Sequence, residues 1–137
     1  MAKTKTLTIN RGKWLTGKAL NLVGDGTLLH ESGLMCCLGF ECIKNGESAA
    51  TCRGKALPSN IGYFGDDKWL LKRVGGYNAE SELASTNDDR ELKPRQRESR
   101  IRKLFKEHGD ITVRFTGKYA DGIKRAKAWV KKLEAAA

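Results

Sequence analysis

Polar and apolar residues alternate from Thr4 to Ile9, with Leu7 and Ile9 on one face, and this predicts a first strand. Asn10 follows in the position of an N-cap, ahead of a short turn over Arg11-Gly12-Lys13-Trp14-Leu15 that Gly17 closes. Leu20 and Leu22 suggest a second short strand, turned through Gly24-Asp25-Gly26 into Thr27-Leu28-Leu29. Asp-Gly between apolar pairs is a hairpin signal. The next run, Leu34-Met35-Cys36-Cys37-Leu38-Gly39-Phe40-Glu41-Cys42-Ile43, contains a single charge. Wound as a helix, it is apolar on every side, as a fully enclosed helix is. Ser32 is the expected cap of this central helix over Leu34 to Lys44, and Asn45-Gly46 the expected stop.

Periodicity decays between Glu47 and Tyr77, where Gly54, Pro58, Gly62, Gly65, Gly75 and Gly76 interrupt the chain. An irregular segment is expected there, with one strand or helical turn near Lys68 to Val74. Its aromatics either anchor the loops to the core or form a mobile lid. A single helical turn is expected from Ala79 to Ala84. Pro94 then opens a long amphipathic helix that places Ile101, Leu104, Phe105 and His108 on one face, with Gly109 as its exit. Ile111, Val113 and Phe115 alternate inward in a strand over Ile111 to Thr116. A last helix starts near Asp121, with Ile123, Ala126, Val130 and Leu133 along one stripe. These elements predict an α+β fold in which a small antiparallel sheet backs a buried central helix, with two further amphipathic helices toward the C-terminus. The length fits one domain over residues 1–137, with residues 118–137 a basic helix that reads as an appendage.

Charge adds a functional expectation. Lys and Arg number 26 against 16 Asp and Glu, a net charge of +10, and this excess attracts nucleic acid, phosphates or acidic proteins. The N-terminus lacks the apolar stretch of a signal peptide and no run reaches the length of a membrane span, so a cytoplasmic protein with no membrane partner is expected. Cys36, Cys37, Cys42 and Cys52 then read as reduced thiols. Their spacing lacks paired C-x2-C knuckles, and buried apolar filler fits them better than zinc, so no metal and no cofactor are expected. Neither a nucleophile elbow nor a phosphate loop is present, which argues against an enzyme.

Two regions carry candidate binding chemistry. In the first, Asn87-Asp88-Asp89-Arg90 precedes a helix whose first turns bear Arg95, Arg97 and Arg100. A helix N-terminus flanked by arginines attracts phosphate or carboxylate, and Asn87 and Asp88 are placed to bond a ribose or a base edge. The same residues also suit a purely structural role, the carboxylates complementing the helix dipole and pairing with the arginines. In the second, 14 Lys and Arg fall between Lys93 and Lys132, and Arg114, Lys124, Arg125, Lys127 and Lys131 are the expected contacts of a nucleic acid.

Lys13-Trp14-Leu15 after a first strand, Met35-Cys36-Cys37-Leu38-Gly39-Phe40, Asn87-Asp88-Asp89, and a helix bearing Arg97-Glu98 and Leu104-Phe105 together resemble a group of small tailed-bacteriophage proteins. The resemblance covers roughly residues 5 to 116 and leaves the basic tail helix outside. Some small phage proteins of this size act against host defences, including ones that sequester the cyclic ADP-ribose signals of Thoeris systems. The resemblance implies a non-enzymatic accessory protein that binds a small nucleotide-derived anion, of nucleotide or ADP-ribose type, in the host cytoplasm. It also implies that Asn87, Asp88, Arg97 and Arg100 face that ligand. The alternatives are a nucleic-acid binder or an inhibitor docking an acidic host protein; a homo-oligomer is compatible with each.

Overall fold

A computed structural model describes residues 5–24, 26–57 and 76–136, with backbone alone for 76–78. The hairpin-turn residue Asp25, the strand or helical turn expected near Lys68 to Val74, and the aromatics Tyr63, Phe64 and Trp69 expected to anchor loops or form a lid all lie outside the described residues, as does the side chain of Tyr77. The chain is α+β. Strand β1 (Lys5–Asn10) pairs with β2 (Ile111–Thr116), from Lys5 opposite Ile111 to Asn10 opposite Thr116. The pairing is parallel, which corrects the antiparallel expectation. Antiparallel neighbours can be joined by a hairpin, whereas this pair is joined by the entire middle of the chain, the long crossover that parallel strands require.

The second expected strand is instead a helix, α1 (Gly17–Val23). Ala19, Leu20 and Val23 are buried at helical spacing while Leu22 is 40 % exposed, so Leu20 and Leu22 do not share a face. Gly17 opens this helix rather than closing the preceding turn, and Gly24 ends it at φ +86°, a left-handed conformation that glycine adopts without a Cβ penalty. The turn before it, Arg11–Lys13, is a single 3-10 turn, and the Asn10 side chain accepts from the Gly12 amide at 2.8 Å as expected of a cap.

The central helix α2 (Cys37–Lys44) starts three residues later than Leu34. Leu34 to Cys36 are drawn out by bonds to the Trp14 segment: the Met35 amide donates to the Lys13 carbonyl at 2.8 Å and the Leu15 amide to the Met35 carbonyl at 2.6 Å. Ser32 is engaged in the preceding turn, with His30 and with the Leu34 amide, and caps no helix. Cys37 to Cys42 are all buried. Gly39 is where α2 lies flush on its neighbour, since a Cβ there would sit 1.9 Å from the Leu28 carbonyl oxygen. All four cysteines are free and buried. Burial pushes the Cys36 thiol up to about 12 and the other three upward as well.

A short helix α3 (Ala49–Cys52) interrupts the segment read as irregular, and α4 (Gly76–Asp88) is far longer than the single turn expected from Ala79. Helix α5 (Pro94–Gly109) matches its sequence signal, except that Asp110, at φ 52°, makes the left-handed exit in place of Gly109. Helix α6 (Tyr119–Ala136) starts two residues before Asp121. Helix α2 packs on β1, α5 on β2, and α4 against both helices. The main core unites Leu7, Ile9, Trp14, Leu38, Phe105 and Val113 with their neighbours. A smaller one joins α1 to Ala126 and Trp129 of α6, so the first half of α6 is docked rather than appended. The last turns, residues 131–136, are exposed.

Candidate anion-binding site

Asn87 ends up at the centre of the molecule. Its Oδ1 accepts from Trp14 Nε1 at 2.7 Å and from the Cys37 amide at 3.0 Å; its Nδ2 donates to the Leu15 carbonyl at 2.9 Å and to Asp88 Oδ1 at 2.9 Å. Its own carbonyl accepts from Thr16 Oγ1 at 2.8 Å. Cys37 is the first residue of α2, so a side chain 50 positions away in sequence supplies the N-terminal partner that no local residue provides. The residue is fully buried and every side-chain donor and acceptor is spent, which leaves it nothing to offer a ligand. Asp88 accepts that one bond from Asn87, and its carboxylate lies over Gly26.

A second polar cluster joins the two ends of the chain. Arg11 grips Glu98 with both sides of its guanidinium, Nη2 to Oε1 at 2.7 Å and Nε to Oε2 at 3.1 Å, and the Tyr119 hydroxyl donates to Oε2 as well. The Arg11 guanidinium lies 5.6 Å from the Phe115 ring centre and 5.7 Å from that of Tyr119. Burial raises the pKa of Glu98, but the bonds from Arg11 and Tyr119 together outweigh it and hold the carboxyl below its usual value. Burial, reinforced by the bond to Glu98, pushes the Tyr119 phenol up. Nothing local in the sequence marks this cluster, because Arg11 and Glu98 are separated by 87 positions.

Beside it opens a cleft of about 390 Å³ between the start of α1, the loop into α5 and the first turns of α6. Arg97 forms part of its wall and is only 2 % exposed. Its Nη2 donates to two backbone carbonyls, Asp89 at 2.5 Å and Leu92 at 3.1 Å, while its buried Nε has no hydrogen-bond partner. Among the described residues no carboxylate comes within ion-pairing distance of Arg97. Burial lowers its pKa, only partly offset by the nearby Tyr119, Asp89 and Asp88. Arg11, Lys18 and Arg90 also line the cleft, against the rings of Trp14 and Tyr119 and the apolar Leu92 and Ile123. Among the described residues, Lys18, Arg90, Arg97 and the Glu98-paired Arg11, and no carboxylate, line a space with aromatic and aliphatic walls. That combination suits an anion carrying a flat or apolar part.

Comparison with known protein families, curated proteins and solved structures finds no match.

The residues predicted to bind a ligand together are thus spread over several places. Arg97 is in the cleft and Asn87 in the core; exposed Arg95 borders the next hollow, with Arg102 and Lys118. Arg100 lies on a separate groove between α4 and α5, lined by Ser81, Ser85, Thr86 and Lys103. Arg11, Lys18, Arg90, Trp14 and Tyr119 were not singled out as ligand contacts. Of these, Arg90 carried a sequence signal as part of the polar segment ahead of α5, and Trp14 one as part of the Lys13-Trp14-Leu15 motif. Arg114, Lys124, Arg125, Lys127 and Lys131 are all exposed, and Lys124, Lys127 and Lys131 fall on one face of α6 by helical spacing. Among the described residues no group of three or more His, Cys, Asp or Glu side chains is arranged to hold a metal. Nor is any described helix long and apolar enough to cross a membrane.

Proposed function

We propose that this chain is a non-enzymatic binding protein for a small, nucleotide-type anion, held in the cleft of Lys18, Arg90, Arg97 and Arg11. The observation that carries the reading is Arg97: a guanidinium almost fully enclosed in the cleft wall, with no carboxylate among the described residues within ion-pairing distance. A buried cation without a counter-ion costs free energy, and an anionic ligand removes that cost on binding. Tyr119 would flank a base or ribose, and Lys18 and Arg90 would hold phosphate. Binding alone requires no catalytic group. In a phage-encoded protein the consequence would be sequestration of a host nucleotide signal, as the resemblance implies.

Calorimetric titration with AMP, ADP-ribose and cyclic ADP-ribose isomers tests this reading. Saturable binding of at least one, weakened about tenfold in Arg90→Ala, is expected for a loss of one charged contact. No binding of any of them, or binding indifferent to Arg90→Ala and Lys18→Ala, overturns it.

A second reading, nucleic-acid binding, is favoured by the exposure of Arg114, Lys124, Arg125, Lys127 and Lys131. It predicts a mobility shift at low salt that falls steeply with salt and is lost in Lys124→Ala/Lys127→Ala/Lys131→Ala. Absence of a shift at low salt removes it.

A further inference from the structure

The cleft does not end at Arg11. A shallower hollow of about 730 Å³ continues on the far side of Arg11, Pro94 and Tyr119, which line both spaces. Each space has its own three cations: Lys18, Arg90 and Arg97 in the cleft, and Arg95, Arg102 and Lys118 in the hollow. Among the described residues one carboxylate, Glu98, borders the hollow, and Arg11 and Tyr119 occupy both of its oxygens. The Arg11–Glu98 pair therefore forms a neutral saddle between two positive basins.

Helix α5 begins on that saddle, because Pro94 is its first residue and lines both spaces. Its first turn holds no acidic residue, and the one side-chain acceptor there is the neutral Gln96 Oε1, which takes the Lys93 amide at 3.0 Å, so no carboxylate of that turn offsets the positive end of the helix dipole. Arg102 is held in place by its guanidinium lying 4.9 Å from the Phe115 ring centre and by a bond from Nε to the Val113 carbonyl at 3.4 Å. It is pre-positioned, which lowers the entropy lost on binding.

We infer that the ligand is an oligophosphate: a molecule whose phosphoryl groups are strung along a chain, one seated in the cleft against Arg97 and Arg90, and another across the Arg11 saddle against Arg95, Arg102 and Lys118. The inference rests on the reading of the cleft proposed above and extends it by a second subsite. A single phosphate would use one basin and leave the other's three cations unpaired. An oligophosphate neutralises both, and the neutral saddle lets its chain pass without crossing an exposed carboxylate.

The test uses the full chain at low salt, with sodium orthophosphate and sodium tripolyphosphate as calorimetric probes. Wild-type protein should bind tripolyphosphate at least tenfold more tightly than orthophosphate. Arg95→Ala/Lys118→Ala, both exposed side chains, should abolish most of that advantage and leave orthophosphate binding unchanged. Arg90→Ala should weaken both probes. Lys127→Ala/Lys131→Ala, remote on α6, should alter neither and so controls for diffuse attraction to a basic protein. If orthophosphate binds in an Arg90-dependent way but tripolyphosphate gains nothing, or keeps its gain in Arg95→Ala/Lys118→Ala, the second subsite is refuted and the cleft survives. If neither probe depends on Arg90, the cleft itself fails, and the oligophosphate inference with it.

Discussion

Asn87 and Arg97 are ten residues apart, both almost fully enclosed, and they treat their hydrogen-bonding capacity in opposite ways. Asn87 spends every donor and acceptor on the protein: an indole, a helix-starting amide, a carbonyl and a carboxylate. Arg97 keeps its Nε unmet at the wall of a basic cleft. A saturated buried polar group specifies a structure, whereas an unsaturated charged one is the group that would gain most from a ligand. The comparison separates architecture from binding within a segment whose composition suggested a single site.

The sharpest way to break that contrast is Asn87→Ala, which orphans the Trp14 indole, the Cys37 amide and the Leu15 carbonyl together. Urea unfolding should show a loss of at least about 3 kcal/mol, at about 1–3 kcal/mol for each buried group left unmet. A cost below about 1 kcal/mol would mean that Asn87 is not the hub described. Next comes Glu98→Gln, expected to cost about 1.5 kcal/mol near neutral pH through loss of charged hydrogen bonds to Arg11. Because the folded Glu98 carboxyl sits below its usual value, its contribution is complete above the ordinary carboxylate pKa of about 4.3 and disappears as pH falls through the lowered folded value. The stability gap between wild type and Glu98→Gln should therefore be constant near neutrality and close below about pH 4; a gap that widens on acidification contradicts the assignment. Trp14→Phe retains the ring against Phe115 and Tyr119 but removes the donor to Asn87, for about 1 kcal/mol. Least affected should be Arg90→Ala, exposed in the loop into α5, within about 0.5 kcal/mol of wild type. A large loss there would make the cleft part of the scaffold rather than a place for ligand.

What was legible in the sequence follows from how local the determining physics is. Helix α5 carries its own start in Pro94 and its own apolar stripe in Ile101 and Phe105, and β2 alternates Ile111, Val113 and Phe115, so both were read nearly to the residue. The greasy run from Cys37 to Cys42 is buried for the reason its composition gives. Helix α1 was misread because Leu20 and Leu22 mimic a period of two over a window too short to tell it from a helix. The parallel pairing of β1 and β2, the Asn87 cap on Cys37 and the Arg11–Glu98 clasp depend on partners 50 to 106 positions apart, which no local pattern encodes. The cleft was half visible: the arginines ahead of α5 were noticed, but Lys18 and Arg11 join them only through the fold.

The parallel pairing of β1 and β2 has a consequence for when the cleft can form. Arg11 follows the first strand and Tyr119 the last, so the cleft is incomplete until the sheet zips Lys5–Asn10 onto Ile111–Thr116. Contacts of such long sequence separation are the slowest to form. During synthesis a growing polypeptide would thus lack the complete cleft until Tyr119 has been made and left the ribosome.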